Sequence, residues 1–219
     1  MANILAIETS SDACSLALSS GHKDSSFHEI MPKPHSEKLF GLIEEMMSNR
    51  GLTFLELDAI AAGCGPGSFT GVRLACSVAQ GLSYSLEIPS IQVSSLEVMA
   101  EHFHKKFLAK EIVAIVNAHM NQIYLGHFIY NEELSSSTEV ALNIEEFTTS
   151  DFSSDAYFVG NGCELVKTEL EKIKSKVYEH YPNAIDLLTV ARKKLKKGET
   201  VRPESLLPVY LSGEEHWKK

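Results

Sequence analysis

Residues 58–82 read DAIAAGCGPGSFTGVRLACSVAQGL, and they predict a strand, a glycine-rich loop and a helix in direct succession. The apolar run at 59–62 is typical of a buried strand. Gly65 and Gly67 permit a turn that other residues would not tolerate, and Gly71 is expected to open the helix. In outline, this is the layout of a phosphate-binding loop in an α/β protein.

The two common phosphate-binding motifs nevertheless fail here. A Walker loop ends in Gly-Lys-Ser/Thr, whereas Gly71 is followed by Val72 and Arg73. A dinucleotide-binding fingerprint needs a third glycine at position 70, which is Thr70. Ser68 lacks the Gly-x-Ser-x-Gly spacing of a nucleophile elbow. We therefore interpret the glycines as structural: they let the loop pack tightly and cap the helix. This interpretation concerns Gly65, Gly67 and Gly71.

Composition and charge limit the classes of function. The 219 residues allow one large domain or two lobes of about 100 residues each. We expect a cytoplasmic protein, because no apolar run approaches the roughly 20 residues that cross a bilayer. The four cysteines lack the paired spacing of a metal or redox site and are interpreted as reduced core residues. They are Cys14, Cys64, Cys76 and Cys163.

A formal net charge of −9 argues against a protein that grips RNA by itself. The dense basic run, at 192–197, closes a helix predicted from Ala184. Because cations are favoured at a helix C-terminus, a solvated helix end is the preferred interpretation over an RNA contact.

The order of predicted elements runs twice through one pattern. Three strands, then alternating helices and strands, are predicted before residue 106 and again, more weakly, after it. The second pass includes a helix predicted from Cys163 to about Lys176. The pattern predicts a duplicated ribonuclease-H-like unit.

Three motifs together resemble one family. They are IETSS at the end of the first strand (7–11), HSEKL (35–39) and GPGSFTGVR (65–73), with weaker support from GNG (160–162) and PVYL (208–211). The chain resembles the TsaB family, also called YeaZ. The resemblance implies an actin/hexokinase/Hsp70-like (ASKHA) fold with two ribonuclease-H-like lobes, expected at 1–106 and 107–219.

The resemblance also implies a function without catalysis. It implies that the chain, like members of the family, acts as a scaffold subunit for transfer of threonylcarbamoyl to an adenosine of tRNA. That adenosine lies beside the anticodon in tRNAs that read A-starting codons. The implied partners of the chain are a TsaD-type catalytic subunit, a TsaE-type ATPase, a second copy when alone, and tRNA only through the complex. No cofactor is expected in the isolated chain, whereas ATP or ADP is compatible with the complex.

The metal-binding histidines of the TsaD family, four residues apart on a helix, have no counterpart here. Ser95 and Met99 stand at their positions, and a hydroxyl and a thioether hold a hard divalent ion poorly. We therefore expect no metal site and no catalytic residue. An ATP-dependent small-molecule kinase and a protease-like enzyme remain as rival hypotheses, to be separated by hydrolysis assays.

The end of the first strand is a candidate for nucleotide contact. In the implied fold the following turn faces phosphates, and Glu8, Thr9 and Ser10 occupy it. The alternative is that Thr9 and Ser11 satisfy the backbone groups of the turn.

The helix after the glycine loop carries two apolar strips. One strip, from Val72 to Leu86, is a normal core face. The other contains Leu74 and Val78, and it fits either a protein interface or burial under the other lobe. The resemblance favours the interface, which is expected at Phe40, Met47, Arg73, Leu74, Ser77, Val78 and Gly81.

At three positions the chain departs from the family. Asn117 and His119 stand where the family tends to carry Asp and Arg, and Ser212 stands where it often has Arg. The polar roles of those family residues do not carry over to this chain.

Overall fold

The computed structural model describes residues 2–21, 23–31, 35–173 and 175–211. Ser212 lies outside these ranges, so its departure from the family has no structural account. Within them, no helix combines the length and the apolar character needed to span a bilayer.

The chain divides into two compact units. Unit 1 contains Met1–Val98 and Pro182–Val209, and unit 2 contains Met99–Tyr181 and the residues from Tyr210 onward. The sequence predicts a boundary at 106/107, with residues 107–219 in the second lobe. Residues 182–209 differ from that expectation because their apolar side chains complete a core of unit 1.

Unit 1 is a five-stranded sheet of order β3-β2-β1-β4-β5. The first three strands are antiparallel neighbours, and β4 and β5 run parallel to β1. The strands are β1 (Ile4–Glu8), β2 (Ala13–Ser20), β3 (Lys23–Ile30), β4 (Ala59–Gly63) and β5 (Ser90–Val93).

Alternate residues of β1 supply the two faces of this sheet. Leu5 and Ile7 join the core under α1 (His35–Asn49) and α2 (Phe69–Leu86), whereas Ile4 and Ala6 join the core that includes the last helix. This period of two is the geometry of a strand that is buried on both sides. The remaining helices are α3 (Ser95–Phe107), α4 (Lys167–Lys172) and α5 (Ala184–Lys197).

The predicted core faces of the first two helices are confirmed, and one helix start is corrected. Helix α2 begins at Phe69 with Ser68 as N-cap, so Gly71 lies inside the first turn and does not open the helix. Buried or partly buried core residues are Leu39, Leu42, Ile43 and Met46 on α1 and Val72, Ala75, Cys76, Ala79, Leu82 and Leu86 on α2.

Unit 2 repeats the sheet of unit 1. Its order is β10-β9-β6-β7-β8, again an antiparallel meander of three strands with two parallel strands beside its first member. This repetition confirms the predicted ASKHA-type duplication of a ribonuclease-H-like unit. The strands are β6 (Glu111–His119), β7 (Gln122–Tyr130), β8 (Leu134–Asn143), β9 (Tyr157–Val159) and β10 (Lys176–Tyr178).

The helix predicted from Cys163 to about Lys176 is wrong in its extent. A 3₁₀ segment, Asn161–Val166, leads into the short α4, and strand β10 follows at Lys176–Tyr178. A strand of three residues is too short to show a period of two, so the pattern gave no sign of it.

Candidate functional site

The β1–β2 turn and the glycine-rich loop lie against each other through two hydrogen bonds. The Ser68 N–H donates to the Ser10 carbonyl at 2.7 Å. The Thr9 hydroxyl donates to the Gly71 carbonyl, also at 2.7 Å. The turn therefore docks on the start of α2 by direct contact between main chains.

The glycines are required by this closeness. A Cβ on Gly71 would lie 1.9 Å from the Thr9 carbonyl oxygen, and a Cβ on Gly67 would lie 2.4 Å from that of Ser10. Gly65 has a φ of +94° and approaches the Val209 carbonyl. The structural interpretation of these three glycines is thus supported by their contacts.

Glu8 is fully buried behind this turn. One carboxylate oxygen accepts from the Ser10 N–H at 2.7 Å, and the other accepts from the Ser95 hydroxyl at 2.9 Å. Burial raises the pKa of Glu8 above its ordinary value of 4.5, while the hydrogen bonds from Ser10 and Ser95 act in the opposite direction. Both oxygens are engaged by donors of the chain itself.

The nucleotide contact expected at Glu8, Thr9 and Ser10 stays a prediction. Their side chains are buried, and the bonds described above are internal to unit 1. Ser11 accepts from the Ala13 N–H at 3.2 Å, as the alternative interpretation of this turn expects. A phosphate at the turn would have to compete with these bonds.

The exposed side of α2 carries residues spaced four apart. Phe69, Arg73, Ser77 and Gly81 are all exposed, and the Arg73 guanidinium lies 3.5 Å from the centroid of the Phe69 ring. Tyr84 extends the same side by one turn. Sequence reasoning missed Phe69 and Tyr84, although the spacing of four from Arg73 and Ser77 could have identified Phe69.

Two residues expected at the partner interface belong instead to the core. Met47 is 2% exposed and Val78 is 6% exposed, and Leu74 is partly buried against the same cluster. The segment after α5 also contributes to this core: Leu206 belongs to the cluster, and the Gln80 side chain donates to the Pro203 carbonyl at 3.0 Å. Phe40, Arg73, Ser77 and Gly81 remain exposed.

The basic run at 192–197 is partly neutralised within unit 1. Arg192 forms an ion pair with Asp24, and the Lys194 ammonium lies 3.5 Å from Glu97. The helix ends at Lys197, and the C-cap Gly198 has a left-handed conformation. These contacts favour the helix-end interpretation over an RNA contact.

The departures at Asn117 and His119 lie at the end of β6, beside the β6–β7 turn of unit 2. The Asn117 side chain accepts from the His119 N–H at 2.8 Å, and the Asn117 N–H donates to the Asn161 side chain at 3.1 Å. Residues 119–121 all have positive φ. Asn117 therefore stabilises a tight turn and links it to the GNG segment.

Comparison with known proteins gives a consistent family. The family profile TsaD, described as tRNA N6-adenosine threonylcarbamoyltransferase, matches residues 27–217. The chain is 31% identical to the tRNA threonylcarbamoyladenosine biosynthesis protein TsaB of Haemophilus influenzae, covering 99% of this chain and 96% of that protein. It is 32% identical to TsaB of Escherichia coli, covering 99% and 97%.

The fold agrees with a solved relative. YeaZ from Pseudomonas aeruginosa superposes with a TM-score of 0.90 at 32% identity, over 96% of this chain and 100% of that one. The chain belongs to the TsaB (YeaZ) family.

In this TsaB-family chain, Ser95 and Met99, the residues expected at the positions of the TsaD histidines, are buried. Ser95 is the first residue of α3 and bonds to Glu8, and Met99 lies one turn further along the same helix. The Ser95 hydroxyl thus has a local role in holding the buried carboxylate.

Replacement of Gly71 by alanine tests the docking of the turn. We expect Gly71→Ala to lower the free energy of unfolding by about 3 kcal/mol, because the new methyl would overlap the Thr9 carbonyl. Gly41→Ala is the matched control: its methyl would meet nothing within 4 Å, and it should be neutral or stabilising by up to about 1 kcal/mol. Urea unfolding of both variants makes the comparison, and equal effects would refute the docking argument.

A charge at Val78 tests its assignment to the core. Val78→Glu should lower the free energy of unfolding by about 3 kcal/mol or more, because it buries a carboxylate in an apolar cluster. Ser77→Glu places the same charge one residue away on the exposed side and should change it by less than about 0.5 kcal/mol. Thermal melting measures both variants. A Val78→Glu variant as stable as the wild type would show that Val78 is not a core residue.

The raised pKa of Glu8 predicts a pH dependence. The folded state holds this proton more tightly than the unfolded state, so the contribution of Glu8 to stability is lost as pH rises through its folded pKa. Glu8→Gln cannot titrate at this position, and its stability relative to the wild type should therefore increase as pH rises above the ordinary pKa of 4.5.

Glu56 provides the control of opposite sign. Hydrogen bonds from Thr53 lower the pKa of this exposed carboxyl, so its contribution is lost as pH falls, and Glu56→Gln should lose relative stability with rising pH. Urea unfolding across pH measures both differences. A Glu8→Gln difference that is flat or falls with pH would contradict the burial argument.

Proposed function

We propose that this chain is a non-catalytic scaffold for threonylcarbamoyl transfer to the adenosine beside the anticodon in tRNAs that read A-starting codons. It binds a TsaD-type catalytic subunit and, through that complex, a TsaE-type ATPase; ATP or ADP enters only there. The names of its relatives and the TsaD family profile support this role. The observation that carries the proposal is the exposed side of α1 and α2.

Gly81 shows why that side fits a partner. It lies in the interior of α2, where glycine is about 1 kcal/mol less favourable than alanine. A Cβ there would meet nothing within 4 Å, so the fold of unit 1 does not require glycine. A small residue on an exposed helix does allow the backbone of another helix to approach closely.

The other exposed residues of α2 suit the same use. Ser77 is also small, and Arg73 is held across the Phe69 ring. On α1, Phe40 is 53% exposed. Aromatic residues and arginine are enriched in protein interfaces. We propose that this side binds the TsaD-type subunit and, in its absence, a second copy of the chain.

The site at Glu8 supports assignment of the chemistry to the partner. The Ser95 hydroxyl donates to a buried carboxylate of this chain, and the Met99 sulfur is a soft ligand that suits hard divalent ions poorly. We propose that the metal and the reacting groups belong to the TsaD-type subunit.

Substitution of Gly81 tests the scaffold role. Gly81→Arg should leave the melting temperature nearly unchanged, because the position is open, but should weaken binding to the TsaD-type subunit by at least about tenfold. Gly81→Ala is the control and should retain most of the binding. Size-exclusion chromatography with light scattering measures the complexes, and reconstituted tRNA modification measures the consequence. Full binding and full modification by a folded Gly81→Arg chain would place the interface elsewhere.

A further inference from the structure

Unit 2 carries a cluster of aromatic rings that are only partly buried. Phe107 ends α3, Tyr157 begins β9 and Tyr178 ends β10, and the largely buried Phe103 lies beneath them. Phe107 is 39% exposed and Tyr178 is 38% exposed. Three segments that are distant in sequence thus bring flat apolar surfaces together at the edge of a sheet.

The three rings are nearly parallel. Tyr157 and Tyr178 differ by 10° with centroids 6.0 Å apart, and Phe107 lies within 26° of each at 5.6 and 5.7 Å. A set of near-parallel, partly exposed rings offers faces and edges on which another planar group can stack.

Lysines lie directly beside these rings. The Lys176 ammonium is 4.6 Å from the centroid of the Tyr157 ring, and the Lys106 ammonium is 5.3 Å from that of Phe107. Lys105 and Lys110 are exposed next to them in sequence, and the nearby acids in sequence are Glu111, Asp155 and Glu179. In a chain of net charge −9, four lysines beside three acids are a small local excess of cations. We call Phe107, Tyr157, Tyr178, Lys106 and Lys176 the aromatic–lysine face.

We propose that the aromatic–lysine face binds unpaired nucleotides of the tRNA substrate. Bases stack on aromatic rings whatever their sequence, and ammonium groups beside the rings pair with phosphates; together these are the contacts by which proteins hold single-stranded nucleic acid. The inference rests on the proposed function only in naming tRNA as the source of the RNA. With two cations on the face, the contact is weak in the isolated chain and adds to the affinity of the complex.

The experiment measures binding of the full-length chain to a fluorescent anticodon stem-loop RNA and to a short oligouridylate, at low and at physiological salt. Tyr178→Leu keeps apolar bulk but removes the stacking ring, and Tyr178→Phe keeps the ring. Lys176→Glu reverses a charge on the face. Lys167→Glu makes the same change on α4, where the lysine lies 3.3 Å from Glu164.

We expect Tyr178→Leu and Lys176→Glu each to weaken RNA binding on the order of tenfold, whereas Tyr178→Phe and Lys167→Glu stay near the wild type. Lys176→Glu should also reduce the slope of log affinity against log salt by about 0.7. An abasic strand of the same length should bind less tightly than oligouridylate. Thermal melting establishes that the variants fold. If Tyr178→Leu does not fold, the comparison of Lys176→Glu with Lys167→Glu tests the proposal.

Each contrary result overturns the proposal in a recognisable way. Equal affinity of all four variants would exclude the face, and equal affinity for abasic RNA would exclude stacking. If binding to phosphatidylserine vesicles depended on Tyr178 and Lys176 while RNA binding did not, the face would be a membrane-binding surface. Loss of TsaD-type subunit binding in Tyr178→Leu would indicate a protein interface.

The two proposals fail separately. A wild-type chain that does not bind the TsaD-type subunit refutes the scaffold function while the RNA measurements still decide the aromatic–lysine face. Conversely, normal subunit binding by Tyr178→Leu and Lys176→Glu with unchanged RNA binding refutes the face and leaves the scaffold function intact.

Discussion

The hydrogen bond from the Ser68 N–H to the Ser10 carbonyl fixes the distance between the first hairpin and the start of α2. At that distance no Cβ fits on Gly67 or Gly71, so the glycine-rich sequence is a consequence of main-chain contact. The same contact closes the end of β1 and keeps Glu8 from water. A loop with the outline of a phosphate cradle thereby donates to the Ser10 carbonyl of the chain itself and accepts from the Thr9 hydroxyl.

The polar groups of this loop and turn bond to one another within the chain. This is consistent with a protein that functions through other, exposed surfaces. Unit 1 exposes a side of α2 with small residues and an arginine stacked on a phenylalanine, and unit 2 exposes rings flanked by lysines. The first surface suits the backbone of another helix, and the second suits a planar, anionic ligand. On the two proposals made above, one chain would contact a protein through unit 1 and an RNA through unit 2.

The sequence predicted the elements whose information is local. Periods of 2 and 3.6 located most strands and the core faces of α1 and α2, and a recurring element order located the duplication. It failed where distant segments meet. Val78 lies in an apolar cluster that also includes Leu206 from the far end of the chain, and no pattern within α2 predicts that association. The aromatic–lysine face likewise draws on residues from three separate stretches, so its parts looked like ordinary helix and strand residues.

The return of residues 182–209 to unit 1 has a consequence for synthesis on the ribosome. Unit 2 is formed largely by one continuous stretch, 99–181, whereas the second core of unit 1 needs Leu187, Leu188 and Ala191 from α5. Domains fold as units while the chain emerges N-terminus first. Here the core that contains Ile4 and Ala6 of the N-terminal sheet stays incomplete until α5 has been translated. The half of the molecule that is made first is therefore the half that is finished last.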